Sequence, residues 1–241
     1  MLRFIYVIVV RVFSILYFVP KMAYYAKHPE KYSEEDCYRL AQSVMDRVRK
    51  TARITTEYIG VENIPEACGY MMFSNHQSKY DALGILLGHA KPCSVLMDKK
   101  RSRLPIAKQC VDLLRGKRLD RHSPRQQIKT LNEMAEEIRG GRNFLVFPEG
   151  GYPKKRDNSL SEFKYGCFTT AMKANCPIVP VAILDCYKTF SVNSLRKVRT
   201  KVVYLAPIFP SEYEGMRSKE LCALVKERIA KAIEENEFST F

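Results

Sequence analysis

The chain has no C-x-x-C pair, no G-x-G-x-x-G, no P-loop and no G-x-S-x-G. Without the two glycine motifs, neither standard phosphate cradle is available to a nucleotide. Without G-x-S-x-G, the serine elbow of the α/β-hydrolases is missing, which counts against a hydrolase. The eight cysteines, at positions 37, 68, 93, 110, 167, 176, 186 and 222, lie scattered in apolar context. They read as reduced thiols packed as small hydrophobes, not as a disulfide frame or a zinc cluster. Only four histidines are present, and no metal site is obvious. No RNP-like aromatic motif, zinc finger or recognition-helix motif accompanies the basic charge, so nucleic acid is not expected as a partner. Acidic residues are few against basic ones, 26 to 40, and the net charge of +14 favours polyanions: lipid surfaces or phosphorylated substrates.

The 241 residues, 46% hydrophobic and 27% charged, suffice for one sizeable α/β domain with a small appendage. Residues 4–19 are apolar except for Arg11 and Ser14, with Arg3 before the run and Lys21 after it. No A-x-A cleavage site follows, so the segment is expected to stay on the protein. A bilayer span needs roughly 20 apolar residues, and an arginine in mid-helix costs about 2.5 kcal/mol or more. An interfacial helix with its basic ends at the headgroups is the expected form. A single tilted span is the alternative. A second, amphipathic helix begins at Ser33, a good N-cap followed by Glu34, Glu35 and Asp36. Leu40, Val44, Val48 and Ala52 form its apolar side. It either lies on the membrane beside the first helix or covers the rest of the protein.

From about residue 55, β-rich runs alternate with helical stretches near 81–90, 104–115, 124–139, 163–175 and 217–236. The runs are "TTEYIGV", "YMMFS", "CSVLMD", "GKRLDR", "NFLVFP", "IVPVAIL" and "KVVYLAPI". This alternation predicts an α/β fold, a mixed central sheet covered by helices. The expected division is residues 1–54 as membrane-docking helices and 55–241 as the α/β domain.

"FSNHQSKYDALG" places His76 just past a strand and Asp81 five residues on. A histidine is the usual general base near neutral pH. One ring nitrogen must face the substrate while an anion fixes the other, as in a Ser-His-Asp triad. Asp81 supplies that anion if the strand ends near Ser74 and a helix starts near Lys79. A substrate that brings its own hydroxyl needs no serine. On its own the pair is a weak signal, and a structural histidine is the alternative.

Three further stretches join it. "NFLVFPEGGYPKKR" sets Glu149, two glycines and a basic cluster directly after a strand. Gly150 and Gly151 permit close approach of the backbone to a ligand. Lys154, Lys155 and Arg156 are phosphate candidates, and a solvated loop is the alternative. "GKRLDRHS" offers Arg118 and Arg121 where a strand meets a turn. "CPIVPVAI" carries Pro180 inside a β-rich run, which predicts a bent or edge position.

Taken together, "NHQSKYD", "GKRLDR", "FPEGG" and "VPVAI", in that order, resemble the four blocks of the glycerolipid acyltransferase family, specifically the 1-acylglycerol-3-phosphate acyltransferases. "FKYG" before the fourth block is similar to the family as well, and the likeness covers about residues 60–205. The resemblance implies His76 as general base and Asp81 as its orienting partner. It implies Asn75, Glu149, Gly150 and Gly151 at the acceptor, Arg121 on the acceptor phosphate and Pro180 shaping the site. The implied partners are lysophosphatidic acid, acyl-CoA or acyl carrier protein, and membrane lipid. The resemblance implies no metal or organic cofactor, since an activated acyl donor carries the driving force. The absence of a targeting sequence and the compact length suggest a bacterial-type protein of the cytoplasmic membrane, with the catalytic domain on its cytoplasmic side. Where the family often carries Thr-Arg or Ser-Arg after FPEG, this chain has Gly151-Tyr152-Pro153-Lys154. Lys154, Lys155 or Arg156 then stands in, and a lysine is a point charge and not a bidentate fork.

Overall fold

The structure, a computed structural model, describes residues 2–153 and 155–237. Three helices lead: α1 (Leu2–Val10), α2 (Val12–Lys27) and α3 (Glu34–Thr51). There follow β1 (Ile54–Ile59), β2 (Met71–Ser74), α4 (Asp81–Leu87), β3 (Cys93–Asp98), α5 (Ala107–Leu113) and β4 (Lys117–Leu119). Then come α6 (Pro124–Arg139), β5 (Asn143–Val146), α7 (Phe168–Ala174), β6 (Ile178–Leu184), α8 (Tyr187–Phe190), β7 (Val198–Tyr204), α9 (Pro210–Tyr213) and α10 (Ser218–Asn236).

The strands form one seven-stranded sheet in the order β1-β7-β6-β2-β5-β3-β4. All neighbours are parallel except β6 and β7. The sheet is therefore mixed, as expected. Its middle strands are apolar throughout: every residue of β2, β5 and β6 is buried, as strands covered on both faces must be. One face packs a core of Met72, Leu145, Val181 and Val202 with Tyr38, Met45, Ile85 and Leu86. The other packs Met71, Phe73, Phe144 and Ala182 with Met134, Phe168, Val225 and Ile229.

Pro180 is not at an edge, as the sequence suggested, because β6 lies between β7 and β2. Its carbonyl accepts from Leu205 N–H on the β7 side, and the β6–β7 ladder begins only at Val181. The missing N–H of the proline therefore faces Leu205 at the end of that ladder, where one terminal bond is forfeited and none in mid-strand.

The N-terminal apolar run is not one helix. It bends by 79° between α1 and α2, and Arg11 at the bend donates from Nε to Thr51 Oγ1 at 2.6 Å. Among the described residues no single helix is long and apolar enough to cross a membrane. Arg3 does not reach toward headgroups but is fully buried. Its guanidinium donates to the carbonyls of Lys188 (2.9 Å), Thr189 (2.5 Å) and Arg196 (2.5 Å). Of the two places open to α3, it takes the cover over the sheet domain. Ser33 and Asp36 close a capping box at its start, and Tyr38 donates to the carbonyls of Leu86 and His89. Leu2, Ile5, Val9, Phe13, Leu16 and Tyr17 on α1 and α2 remain exposed, Phe13 by 83%.

Candidate active site

The parallel strands β2, β3, β4 and β5 all end on the same edge of the sheet, where open α/β sheets characteristically take ligands. His76 follows β2, Asp98 ends β3, Arg121 follows β4 and Glu149 follows β5. The first three sequence blocks meet there because β2, β5 and β4 lie in the same half of the sheet, with β3 and its Asp98 between the last two.

The chain leaves β2 at Ser74, turns and enters α4 at Asp81. His76 Nδ1 lies 2.7 Å from Asp81 Oδ2. A carboxylate only accepts, so Nδ1 carries the proton and Nε2 presents its lone pair. Asp81 is fully buried, and its oxygens also accept from Gln77 N–H (2.5 Å), Ser78 N–H (2.7 Å) and Ser78 Oγ (3.0 Å). Those bonds hold the carboxylate oxygens fixed. The imidazole stacks on Phe147 with centroids 4.2 Å apart, and Tyr152 packs against it at 4.3 Å. His89 shows the contrast. It is buried between Tyr70 Oη (2.6 Å) and Lys91 O (2.8 Å), and burial lowers its pKa to about 4. It is a satisfied core histidine with no carboxylate partner.

Glu149 is also buried, and its Oε1 accepts the backbone N–H of His76 at 2.9 Å. Desolvation raises its pKa against the pull of that N–H and of Ser161. The third block thereby fixes the first. Gly150 holds a positive φ of 71° in the turn closed by its N–H to Phe147 O. A Cβ there would meet Lys164 Nζ at 3.2 Å, and a Cβ on Gly151 would meet Arg121 Nη1 at 3.9 Å. Arg121 and Lys164 therefore flank the glycine pair. Arg121 is oriented by Asp98 Oδ2, 2.9 Å from its Nε. Asp98 Oδ1 accepts the backbone N–H of Arg101, and the Arg101 guanidinium lies over the Tyr152 ring at 5.1 Å.

Several expectations are corrected. Asn75 does not face a substrate: its side chain is buried and bonds both the carbonyl and the N–H of Ile183, at 3.0 and 2.8 Å, riveting β2 to β6. Pro180 is buried within the sheet and lines no site surface. Arg118 is paired with Asp112 of α5. Lys155 is paired with Asp157 at 2.6 Å, and Lys154 lies outside the described residues. Lys155 is thus engaged within its own loop, while Arg101 and Lys164 stand with Arg121 at this edge. Neither was singled out from sequence, although Lys164 sits in "FKYG". Gln77 was also missed. Its amide ties the loop to Asn158 Oδ1 (3.1 Å), to Ile183 O (3.2 Å) and to Tyr187 N–H (3.3 Å).

The arrangement is a histidine fixed by a carboxylate, beside Arg101, Arg121 and Lys164. Several known proteins are similar to this chain. A chloroplastic 1-acyl-sn-glycerol-3-phosphate acyltransferase of Brassica napus is 28% identical over 74% of this chain and 51% of its own length. One from Saccharomyces cerevisiae is 32% identical over 54% and 43%. The chain thus spans about half the length of these curated relatives. The crystal structure of the 1-acyl-sn-glycerophosphate acyltransferase of Thermotoga maritima shares the fold. Its TM-score is 0.81 at 21% identity, covering 99% of this chain and 97% of that one. Residues 55–184, a span that holds His76, Asp81, Arg121 and Glu149, match the family described as Acyltransferase. With more than half of its length so matched, this chain belongs to the acyltransferase family.

Proposed function

We propose that the protein transfers a fatty acyl group from an acyl thioester to the free hydroxyl of 1-acyl-glycerol-3-phosphate, making phosphatidic acid. The observation that carries this is the His76–Asp81 pair, with Nε2 free to take a proton, beside three cations contributed by separate elements. In this reading His76 Nε2 deprotonates the acceptor hydroxyl as its oxygen attacks the thioester carbonyl. The new C–O bond forms, the C–S bond breaks, and the proton leaves on the thiol. Arg121, Arg101 and Lys164 hold the acceptor phosphate, and Glu149 keeps the His76 backbone in place. The donor is acyl-CoA or acyl carrier protein; the thioester chemistry is common to both.

The exposed apolar side chains of α1 and α2 support docking on a bilayer without spanning it. We place the enzyme at the cytoplasmic face of the cytoplasmic membrane, where both donors and the lipid acceptor meet. A second reading, another lysophospholipid or acyl acceptor, rests on Gly151-Tyr152-Pro153 standing where the family often carries an arginine.

Purified protein in liposomes, given lysophosphatidic acid and a long-chain acyl thioester, is expected to release thiol only with the acceptor present. His76→Ala should reduce that rate by about 10²–10⁴-fold. Release without acceptor would mark a thioesterase. No release with either donor, but release with another lysolipid, would favour the second reading.

A further inference from the structure

Strands β1 and β7 are parallel to each other and run opposite to β6. Their N-terminal ends therefore lie on the sheet edge where β2 to β5 end, the edge that carries His76. Their first paired residues are Ile54 and Val198. Arg53 precedes one, and Arg196 and Lys197 precede the other. These three residues, with Leu2, Asn193 and Leu195, line a groove of about 630 Å³ at the start of α1. No acidic side chain lines it.

Arg53, Arg196 and Lys197 are exposed, and none has an ion pair among the described residues. Behind them Arg3 is buried, its guanidinium taken up by backbone carbonyls, that of Arg196 included. Burial first, and then the charge of Arg53, lower the pKa of Arg3. Like charges gathered this closely repel unless an anion joins them. Arg53 also sits at φ 56°, a left-handed conformation that a residue with a Cβ adopts at a cost. The cationic wall continues into an apolar one. Leu2 lines the groove and begins the exposed face of α1 that carries Ile5 and Val9.

We propose that this groove binds the phosphate headgroup of an anionic membrane phospholipid, separately from the acyl-transfer site on the far side of β6. The inference rests on the membrane-surface reading of α1 and α2. A free phosphate would satisfy the three cations but leave Leu2 and the α1 face uncovered. A lipid satisfies both, with its chains alongside α1. The groove then anchors the sheet edge to anionic bilayer and turns the catalytic edge toward lipid-borne substrate.

The test is binding of the full chain to vesicles of phosphatidylcholine alone and of phosphatidylcholine doped with phosphatidylglycerol. It compares the wild type, Arg53→Gln/Arg196→Gln/Lys197→Gln, and the charge-matched control Lys219→Gln/Lys226→Gln/Lys231→Gln on α10. Each basic side chain at such a surface is worth roughly fivefold, so the groove variant should lose up to roughly a hundredfold of the preference for anionic vesicles. It should bind neutral vesicles as the wild type does. The control should keep the preference. Equal losses in both variants, or none in the groove variant, would overturn the site. Inorganic phosphate is expected to compete no better than chloride at matched ionic strength. Stronger competition would overturn the lipid assignment in favour of a free phosphate. Should the groove variant not fold, judged by its melting curve, Arg196→Gln/Lys197→Gln serves instead, with an expected loss of up to roughly 25-fold. A wild type that ignores neutral vesicles but shows a groove-dependent preference for anionic ones would refute apolar docking by α1 and α2 and leave the groove standing.

Discussion

At the scale of single residues, two carboxylates divide the work of holding one histidine. Asp81 fixes the imidazole through Nδ1, and Glu149 fixes the His76 backbone through its N–H. Asp81→Asn removes the anion that sets the tautomer while keeping an oxygen for the Gln77 and Ser78 N–H groups. We expect a folded protein with kcat lowered by about 10²–10⁴-fold, read by the thiol-release assay beside a melting curve. Near-normal turnover would remove Asp81 from the role. Glu149 gives a stability prediction. Desolvation places its folded pKa above the ordinary glutamate value, so folding favours the protonated form. Its burden on the fold is therefore absent below the unfolded pKa and grows as the pH rises through the folded one. Glu149→Gln still offers an oxygen to His76 N–H without burying a charge. Its melting temperature should match the wild type in acid and exceed it at neutral pH. An unchanged difference across that window would show that the carboxyl is not penalised. The corrections at this scale share a cause. Asn75, Arg118 and Lys155 are the right residue types beside the right blocks, but Ile183, Asp112 and Asp157, distant in sequence or not singled out, use their polar groups first.

At the scale of elements, the first helix reaches the loop that carries His76. Arg3 on α1 holds the carbonyls that end α8, and Thr189 Oγ1 of α8 lies 3.0 Å from Ser78 Oγ, which donates to Asp81. Phe4 of α1 lies under Lys79 Nζ, 4.5 Å from its ring centroid, within the same loop. Arg3→Met strips three charge-assisted bonds from buried carbonyls. It should cost about 2–4 kcal/mol in urea unfolding and lower kcat with little change in acceptor KM, with Arg3→Lys recovering part of both. A change in KM alone would mean that α1 serves binding and not loop geometry. The cap of α3 was legible in advance: Ser33, read as its N-cap, closes a box with Asp36. Ser123 caps α6 in the same way, accepting from Gln126 N–H with Pro124 at the first helical position, and was not singled out from sequence. The bend at Arg11 was not legible, because it depends on Thr51, forty residues away, being present to receive the guanidinium.

At the scale of the whole molecule, the leading helices and the sheet share one core, with Val7, Met22 and Tyr38 packed in the same cluster as Leu86, Val181 and Val202. Thermal unfolding followed by circular dichroism and by tyrosine fluorescence should therefore be a single coincident transition. Two separate transitions would show that α1–α3 melt apart from the rest. The sequence by itself determined the local facts. Strand runs and helix caps were set by residue type and period. The His76–Asp81 spacing was set by five residues that turn from strand to helix. The order of the four blocks carried the family. Tertiary structure alone decided what depended on non-neighbours. It placed Pro180 at the end of a ladder in mid-sheet and turned Arg3 inward. It chose Arg101 and Lys164 over Lys155 as companions of Arg121. The physical reason is that periodicity and capping are written within a few residues of chain. Where a cation is held depends on which acid lies within hydrogen-bond reach, Asp98 for Arg121 and Asp112 for Arg118, and only the packed strand order brings Asp98 and Arg121 to the edge of His76.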